Sequence, residues 1–261
     1  MFKRSNQSYM YNRSAVRNII QDDASPLNRI TEIVPCEAKV MDIGSGSGVL
    51  SDIFSEKNKN VVIDGVEPNE YAARLAKRKY RNFYQTYIQE KMDVFAYENY
   101  DYVILADVLE HVNNPLELLL AISENISKKT RIIISLPNVA FGAVRLALLD
   151  GHFNYVDSGI LEKTHLRFFT LETIKKLVNK TDLKIEEINH LQRTIFTAEI
   201  PIRFSFADAL SFYRVCNDVN AWTYQFLIVL DKAAETTITK YYGNIPRYPM
   251  WHFLKSIFLK R

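Results

Sequence analysis

Short apolar runs alternate along most of the chain with amphipathic stretches of helical period. Runs rich in Val, Ile and Leu occupy residues 38–43, 60–66, 102–106 and 130–136. Continuous apolar runs of this kind read as strands buried on both faces. Between them, 49–54, 69–80 and 116–126 space their apolar residues as helices do. A weaker strand is expected at 83–88. Leu171, Ile174, Leu177 and Val178 then share one face of a helix over 170–180, and two closing strands are expected at 183–188 and 224–230. Strands alternating with helices at this spacing predict a parallel sheet with helices on both faces.

The flanks differ from this core. Residues 1–35 are polar with scattered apolar positions (Val16, Ile19, Ile20, Leu27, Ile30, Ile33) and predict one or two helices lying on the main domain. The main domain covers 36–232. Inside it, 196–220 forms an aromatic insert (Phe204, Phe206, Phe212, Tyr213), read either as the wall of an acceptor pocket or as plain core. Residues 233–261 form a basic, aromatic tail that ends in an amphipathic stretch, Trp251 to Arg261. We expect the tail to pack on the body or on a second copy in a homodimer, the alternative being peripheral contact with an anionic membrane. The fold class is therefore α/β. It is a Rossmann-like, doubly wound sheet of seven strands, mostly parallel with an antiparallel last strand, plus N-terminal helices and a helical insert before that strand.

Composition narrows the class. The chain has 261 residues, 48% hydrophobic and 24% charged, as expected of a globular protein with a real core. A net charge of +3 is too weak to argue for a nucleic-acid partner. Two cysteines in no metal-ligand spacing suggest a reducing cytoplasm. Neither a signal peptide nor an apolar run of the ~18 residues that span a bilayer is expected.

The chemistry concentrates where strands end. Asp42, Gly44, Ser45, Gly46 and Gly48 lie between the first strand and the first helix behind it. Such a loop lets backbone approach a nucleoside ligand where a Cβ would collide. The dinucleotide pattern G-x-G-x-x-G does not fit, because its third glycine would fall on Val49. Glu67, followed by Pro68, closes the second strand and is placed to accept both ribose hydroxyls, with Asp64 as the competing acid. The fourth strand delivers Ala106 and Asp107 to the end where open α/β sheets bind ligands. His111 follows closely and suits a general base, or else orders its loop. His165 and Arg167 lie in a polar segment before the helix at Thr170, which has Thr173 as a capping partner. They face an acceptor or tie the segment down internally. No metal-ligand cluster is evident.

The segments Asp42 to Gly48, Glu67, Tyr100-Asp101 and Asp107 through Pro115 resemble the class I S-adenosylmethionine (SAM)-dependent methyltransferases. Leu136-Pro137-Asn138 and Gly159 through Thr170 are similar to the members found in bacterial surface-polysaccharide and glycan biosynthesis. The resemblance covers about residues 30–232. It implies SAM as cofactor and S-adenosylhomocysteine (SAH) as product, with Ile88 and Gln89 in place of the polar residue that the family usually carries near the adenine. It implies His111, His165 and Asp107 as candidate bases, Asn138 and Arg167 facing the substrate, and a sugar or glycan precursor as the small-molecule acceptor. The alternatives are a lipid-linked or quinone-like acceptor at the inner membrane face and a non-catalytic SAM-binding scaffold. A nucleic-acid acceptor is not expected, since Ala106-Asp107-Val108-Leu109 stands where an N-P-P-Y type loop would be.

Overall fold

The structure, a computed structural model, describes residues 11–97, 99–196, 199–200 and 209–243. Eight strands form one sheet: β1 (Lys39–Ile43), β2 (Val62–Val66), β3 (Phe83–Tyr84), β4 (Tyr102–Ala106), β5 (Arg131–Pro137), β6 (Lys184–Gln192), β7 (Thr223–Asp231) and β8 (Ile238–Tyr242). Their order is β3-β2-β1-β4-β5-β7-β6-β8. The first five run parallel, and β7 lies antiparallel between β5 and β6. The expected antiparallel last strand of the main domain is thus present.

Helices cover both faces, as the alternation predicts. They are α1 (Arg13–Gln21), α2 (Pro26–Ile33), α3 (Val49–Glu56), α4 (Glu70–Ala76), α5 (Val94–Tyr97), α6 (Pro115–Asn125), α7 (Gly142–Leu149), α8 (Leu171–Val178) and α9 (Ala209–Cys216). Successive strand residues point to opposite faces. Met41, Val103 and Leu105 pack with Leu118 and Ile122 of α6 and Ile174 of α8. Val40 and Ile104 pack on the other face with Ile30 of α2 and Leu50 and Phe54 of α3. Ser25 caps α2 with Pro26 in its first turn, and Thr170 with Thr173 forms the capping box of α8.

Three expectations need correction. The sheet has an eighth strand, because 238–242 of the tail pairs in parallel with β6. The basic and aromatic side chains there make strand contacts. Lys240 bonds Glu187 at 2.6 Å, and Tyr242 lies under Arg29 at 4.3 Å. Without β8, β6 would be a bare edge. The third strand stops at Tyr84, since Ile88 opens a 3₁₀ turn packed into the core. Helix α7, which sequence reading leaves without an element, packs with Ile160, Leu161 and α9 as a third apolar cluster. Phe204, Phe206 and the stretch Trp251 to Arg261 lie outside the described residues. Among those described, no helix is long and apolar enough to cross a membrane.

Candidate active site

The glycine loop leaves β1 and turns beneath β2. Gly44 and Ser45 both donate their N–H to Val66 O, at 2.8 and 3.1 Å, which folds the loop back on the strand end. Gly44 has φ 71°, and a Cβ there would stand 2.7 Å from Val108 Cγ2. The bare backbone at Gly44 is therefore required twice, by conformation and by the close approach of the loop after β4. Glu67 is buried and held from two sides: Gly46 N–H donates to Oε2 and Asn69 N–H to Oε1, both at 2.8 Å. The carboxylate is thereby fixed beside the loop. Asp64 takes no part. It is fully buried; burial pushes its carboxyl up, but bonds from Arg81, Tyr100 and Asn82 outweigh this and hold it below the ordinary range.

Asp42 sits under the loop. Burial raises its pKa to about 7, against the lowering effect of the Tyr80 hydroxyl that donates to Oδ2 at 2.7 Å; the neighbouring Glu67 charge adds to the rise. Tyr80 is a residue that sequence reading did not single out. Its ring reaches Asp42 because position 65 is glycine: a Cβ there would stand 2.9 Å from Tyr80 Cδ1. This cradle of glycine backbone and buried acid fits a cationic, ribose-bearing ligand. Ser45 is buried beside Tyr80, Ile88 is buried in the core, and Pro68 and Gln89 are exposed.

At the end of β4, Asp107 adopts φ 55°, a left-handed conformation unusual for a residue with a side chain. Ser135 Oγ on β5 donates to its Oδ1 at 2.8 Å, and Gln225 Nε2 on β7 donates to the same atom. Ala106 beside it is half-buried. Four residues beyond Asp107, His111 meets the second polar segment. Leu166 and Arg167 donate their N–H groups to Glu110 O at 2.8 and 3.1 Å. Arg167 also spans Asn113 O through Nε (3.2 Å) and Nη2 (2.7 Å). This docking brings the rings of His111 and His165 to 4.8 Å, edge to face. His111 Nδ1 donates to Thr164 O at 3.1 Å, and His165 Nδ1 to Ile160 O at 2.9 Å. A carbonyl only accepts, so Nδ1 carries the proton of each neutral ring and Nε2 the lone pair. Glu110, a residue missed from sequence, is 1% exposed and completes the group. The ligating atoms of Glu110, His111 and His165 all lie within 4.8 Å of one another. That spacing would suit a metal ion, a grouping that sequence reading does not bring together, and both imidazoles are oriented by backbone carbonyls as metal-binding histidines are.

One substrate candidate is overturned. Asn138 is fully buried; its Nδ2 donates to Asn220 O and Thr223 O at 2.9 and 2.7 Å, and its Oδ1 accepts from Ala140 N at 3.0 Å. Those bonds tie β5 to the start of β7 and leave the amide no route to a substrate. Arg167 is exposed, but its guanidinium staples the loop after β4. From His165, rings step outward through Phe168 (6.3 Å) and Phe153 (5.5 Å) to Tyr155 (5.6 Å). Phe153 and Tyr155 are exposed, as are Leu148, Leu149 and Leu166.

The family model described as "Methyltransferase domain" matches residues 16–188. A Rickettsia bellii (strain OSU 85-389) protein named ubiquinone biosynthesis O-methyltransferase is 27% identical over 177 residues, which cover 66% of this chain and 70% of that protein. A Vibrio parahaemolyticus protein of the same name is 28% identical over 152 residues, covering 56% and 63%. In fold, the chain is similar to a SAM-dependent methyltransferase from Archaeoglobus fulgidus, with a TM-score of 0.56 and 19% identity over 87% of this chain and 97% of that one. It is also similar to the plantazolicin methyltransferase BpumL in complex with a monoazolic desmethylPZN analog and SAH, with a TM-score of 0.50 and 19% identity over 87% and 93%.

Proposed function

The chain belongs to the methyltransferase-domain family, and from that premise we propose that it methylates the hydroxyl of a small aromatic acceptor, with SAM as donor. The observation that carries this reading is the Glu110, His111 and His165 group, three residues beyond Asp107 and joined to the glycine loop through Val108. SAM supplies an electrophilic methyl group on a sulfonium. The protein aligns that carbon with the acceptor oxygen and takes up the hydroxyl proton. His111 or His165 receives the proton at Nε2 as the new O–C bond forms and the C–S bond breaks, and SAH leaves. Asp107, held by Ser135 and Gln225, borders the reacting groups.

The acceptor class rests on the ring series from His165 to Tyr155 and on the apolar side chains exposed around it. An aromatic ring packs against such a wall, and a phenol, with a pKa near that of tyrosine (about 10), surrenders its proton to imidazole more readily than a sugar hydroxyl. The ubiquinone-pathway name of the sequence relatives agrees with a quinone-like acceptor rather than a glycan. A second reading gives the Glu110–His111–His165 group a divalent cation, which would bind the acceptor oxygen and lower its pKa. The two Nδ1–carbonyl bonds favour it.

Incubation of the full chain with SAM and catechol, with SAH release followed by chromatography, tests the reading. SAH formation with catechol and none with a methyl glucoside is expected. Failure with catechol despite measurable SAM binding overturns the acceptor class, and failure to bind SAM overturns the whole reading. Dialysis against EDTA followed by magnesium or zinc addition separates the two readings: activity lost and restored supports the cation, unchanged activity the imidazole base.

A further inference from the structure

A buried acid, Glu162, reaches His111 through one hydroxyl. Glu162 is 6% exposed. Its backbone is pinned in the segment before α8: its N–H donates to Gly159 O at 3.1 Å, and its O accepts from His165 N–H at 2.9 Å. The lysine beside it turns outward, where Lys163 Nζ meets Asp157 Oδ1 at 2.6 Å. A carboxylate taken out of water persists only where hydrogen bonds or charges hold it.

Thr164 Oγ1 lies between the acid and the imidazole. Its hydroxyl donates to Glu162 Oε1, and the same oxygen stands 3.2 Å from His111 Nδ1. A hydroxyl has one proton to give. With that proton committed to Glu162, Oγ1 offers His111 lone pairs alone. Thr164 O, 3.1 Å from Nδ1, also only accepts. Both distances sit at the long end of the N–H···O range, as expected of one N–H shared between two acceptors.

Take Glu162 away and the hydroxyl is free to turn its proton toward Nδ1. The ring would then carry its own proton on Nε2, because the bond made by one ring nitrogen sets the state of the other. That tautomer has no lone pair at Nε2 with which to receive a proton. On the reading of His111 as a proton acceptor, we propose that Glu162, acting through the Thr164 hydroxyl, is a positioning residue for methyl transfer that locks His111 in the productive tautomer. During the step the Nδ1 proton stays in place. The acceptor's hydroxyl proton arrives at Nε2 while the O–C bond forms and the C–S bond breaks.

Nitrogen-15 NMR of the histidine rings in the full chain tests this at about pH 8, above the ordinary imidazole pKa of about 6.5. His111 is identified among the five histidines by the signal lost in His111→Ala. The unaltered chain should show the Nδ1–H tautomer at His111. Glu162→Leu, close in size but without an acceptor, should move part of the population to Nε2–H. It should also lower kcat with catechol by about tenfold to a hundredfold, with KM and SAM affinity within about twofold. Glu162→Met serves if Glu162→Leu does not fold. Adding Thr164→Val removes the competing hydroxyl proton, so the double variant should regain the Nδ1–H tautomer and at least about threefold in kcat, which a merely structural defect would not do. An unmoved tautomer in Glu162→Leu, a kcat within about twofold of the unaltered chain, or a double variant no better than the single one overturns the proposal. If the unaltered chain binds SAM but leaves catechol unmethylated, the acceptor reading fails, and the tautomer measurements alone decide the role of Glu162.

Discussion

Gly46 and Glu67, at the proposed cofactor end, are 21 residues apart; His111 and Thr164, at the proposed acceptor end, are 53 apart, and Asp107 and Gln225 are 118 apart. The first half of the site is made by one strand, one turn and the next strand, with backbone N–H groups as the fixing elements. The second half exists only because two distant segments dock through Glu110 O, Thr164 O and Asn113 O. A local site tolerates distant disturbance but not a change in its own backbone. A docked site fails when either segment moves.

The largest effect should fall on the docked half. His111→Ala and His165→Ala should each lower kcat by about 10²–10⁴, the span of general acid–base catalysis, while calorimetry shows SAM affinity unchanged. Loss of SAM binding in either variant would mean that the two halves are not separable. Next comes Gly44→Ala, which adds left-handed strain of about 1–2 kcal/mol to the clash with Val108, so SAM affinity should fall by about tenfold to a hundredfold. Gly151→Ala is the matched control: φ is 76° but nothing lies within 4 Å of the added Cβ. It should lower Tm modestly and leave SAM affinity alone.

Asp42 makes the local half pH-dependent. Its folded pKa, about 7, stands above the ordinary value of 3.8. The native state therefore holds this proton more tightly than the unfolded chain. The stability it contributes is complete below about pH 4 and is lost as pH rises through about 7. A cationic ligand prefers the ionised acid, so SAM affinity should rise about tenfold between pH 6 and pH 8, and Asp42→Asn should flatten that slope. Arg167→Ala should have the smallest effect. It removes exposed bonds to Asn113 O, so the acceptor KM should rise less than about tenfold with kcat nearly kept. A large drop in kcat would instead place Arg167 on the substrate.

What could be read from the sequence follows the same division. The placement of the glycine loop, Glu67 and Asp107 at strand ends is legible because short motifs there carry their own geometry. Glu110 was hidden beside His111 because its burial depends on Leu166 and Arg167 arriving from the far segment. Tyr80 was hidden because its reach to Asp42 depends on the missing Cβ of Gly65. Asn138 misled because a polar residue at a strand end suits a ligand and a buried tie equally well, and only its bonds to Asn220 O and Thr223 O decide. Strand β8 was masked by its own polarity: an edge strand needs no alternating apolar face, and 238–242 are mostly exposed.

The placement of β7 sets the order in which this protein can become active during synthesis. The strand inserts between β5 and β6, and Gln225 on it holds Asp107. A nascent chain that has emerged only through β6 already possesses the whole glycine loop. It still lacks the central antiparallel strand and the side chain that steadies the strained aspartate. Translation at about 5–20 residues per second puts roughly 8–30 s between the emergence of Glu67 and that of Gln225. A ribosome-stalled chain ending before residue 223 would carry the glycine-loop sequence without the Gln225 side chain that holds Asp107.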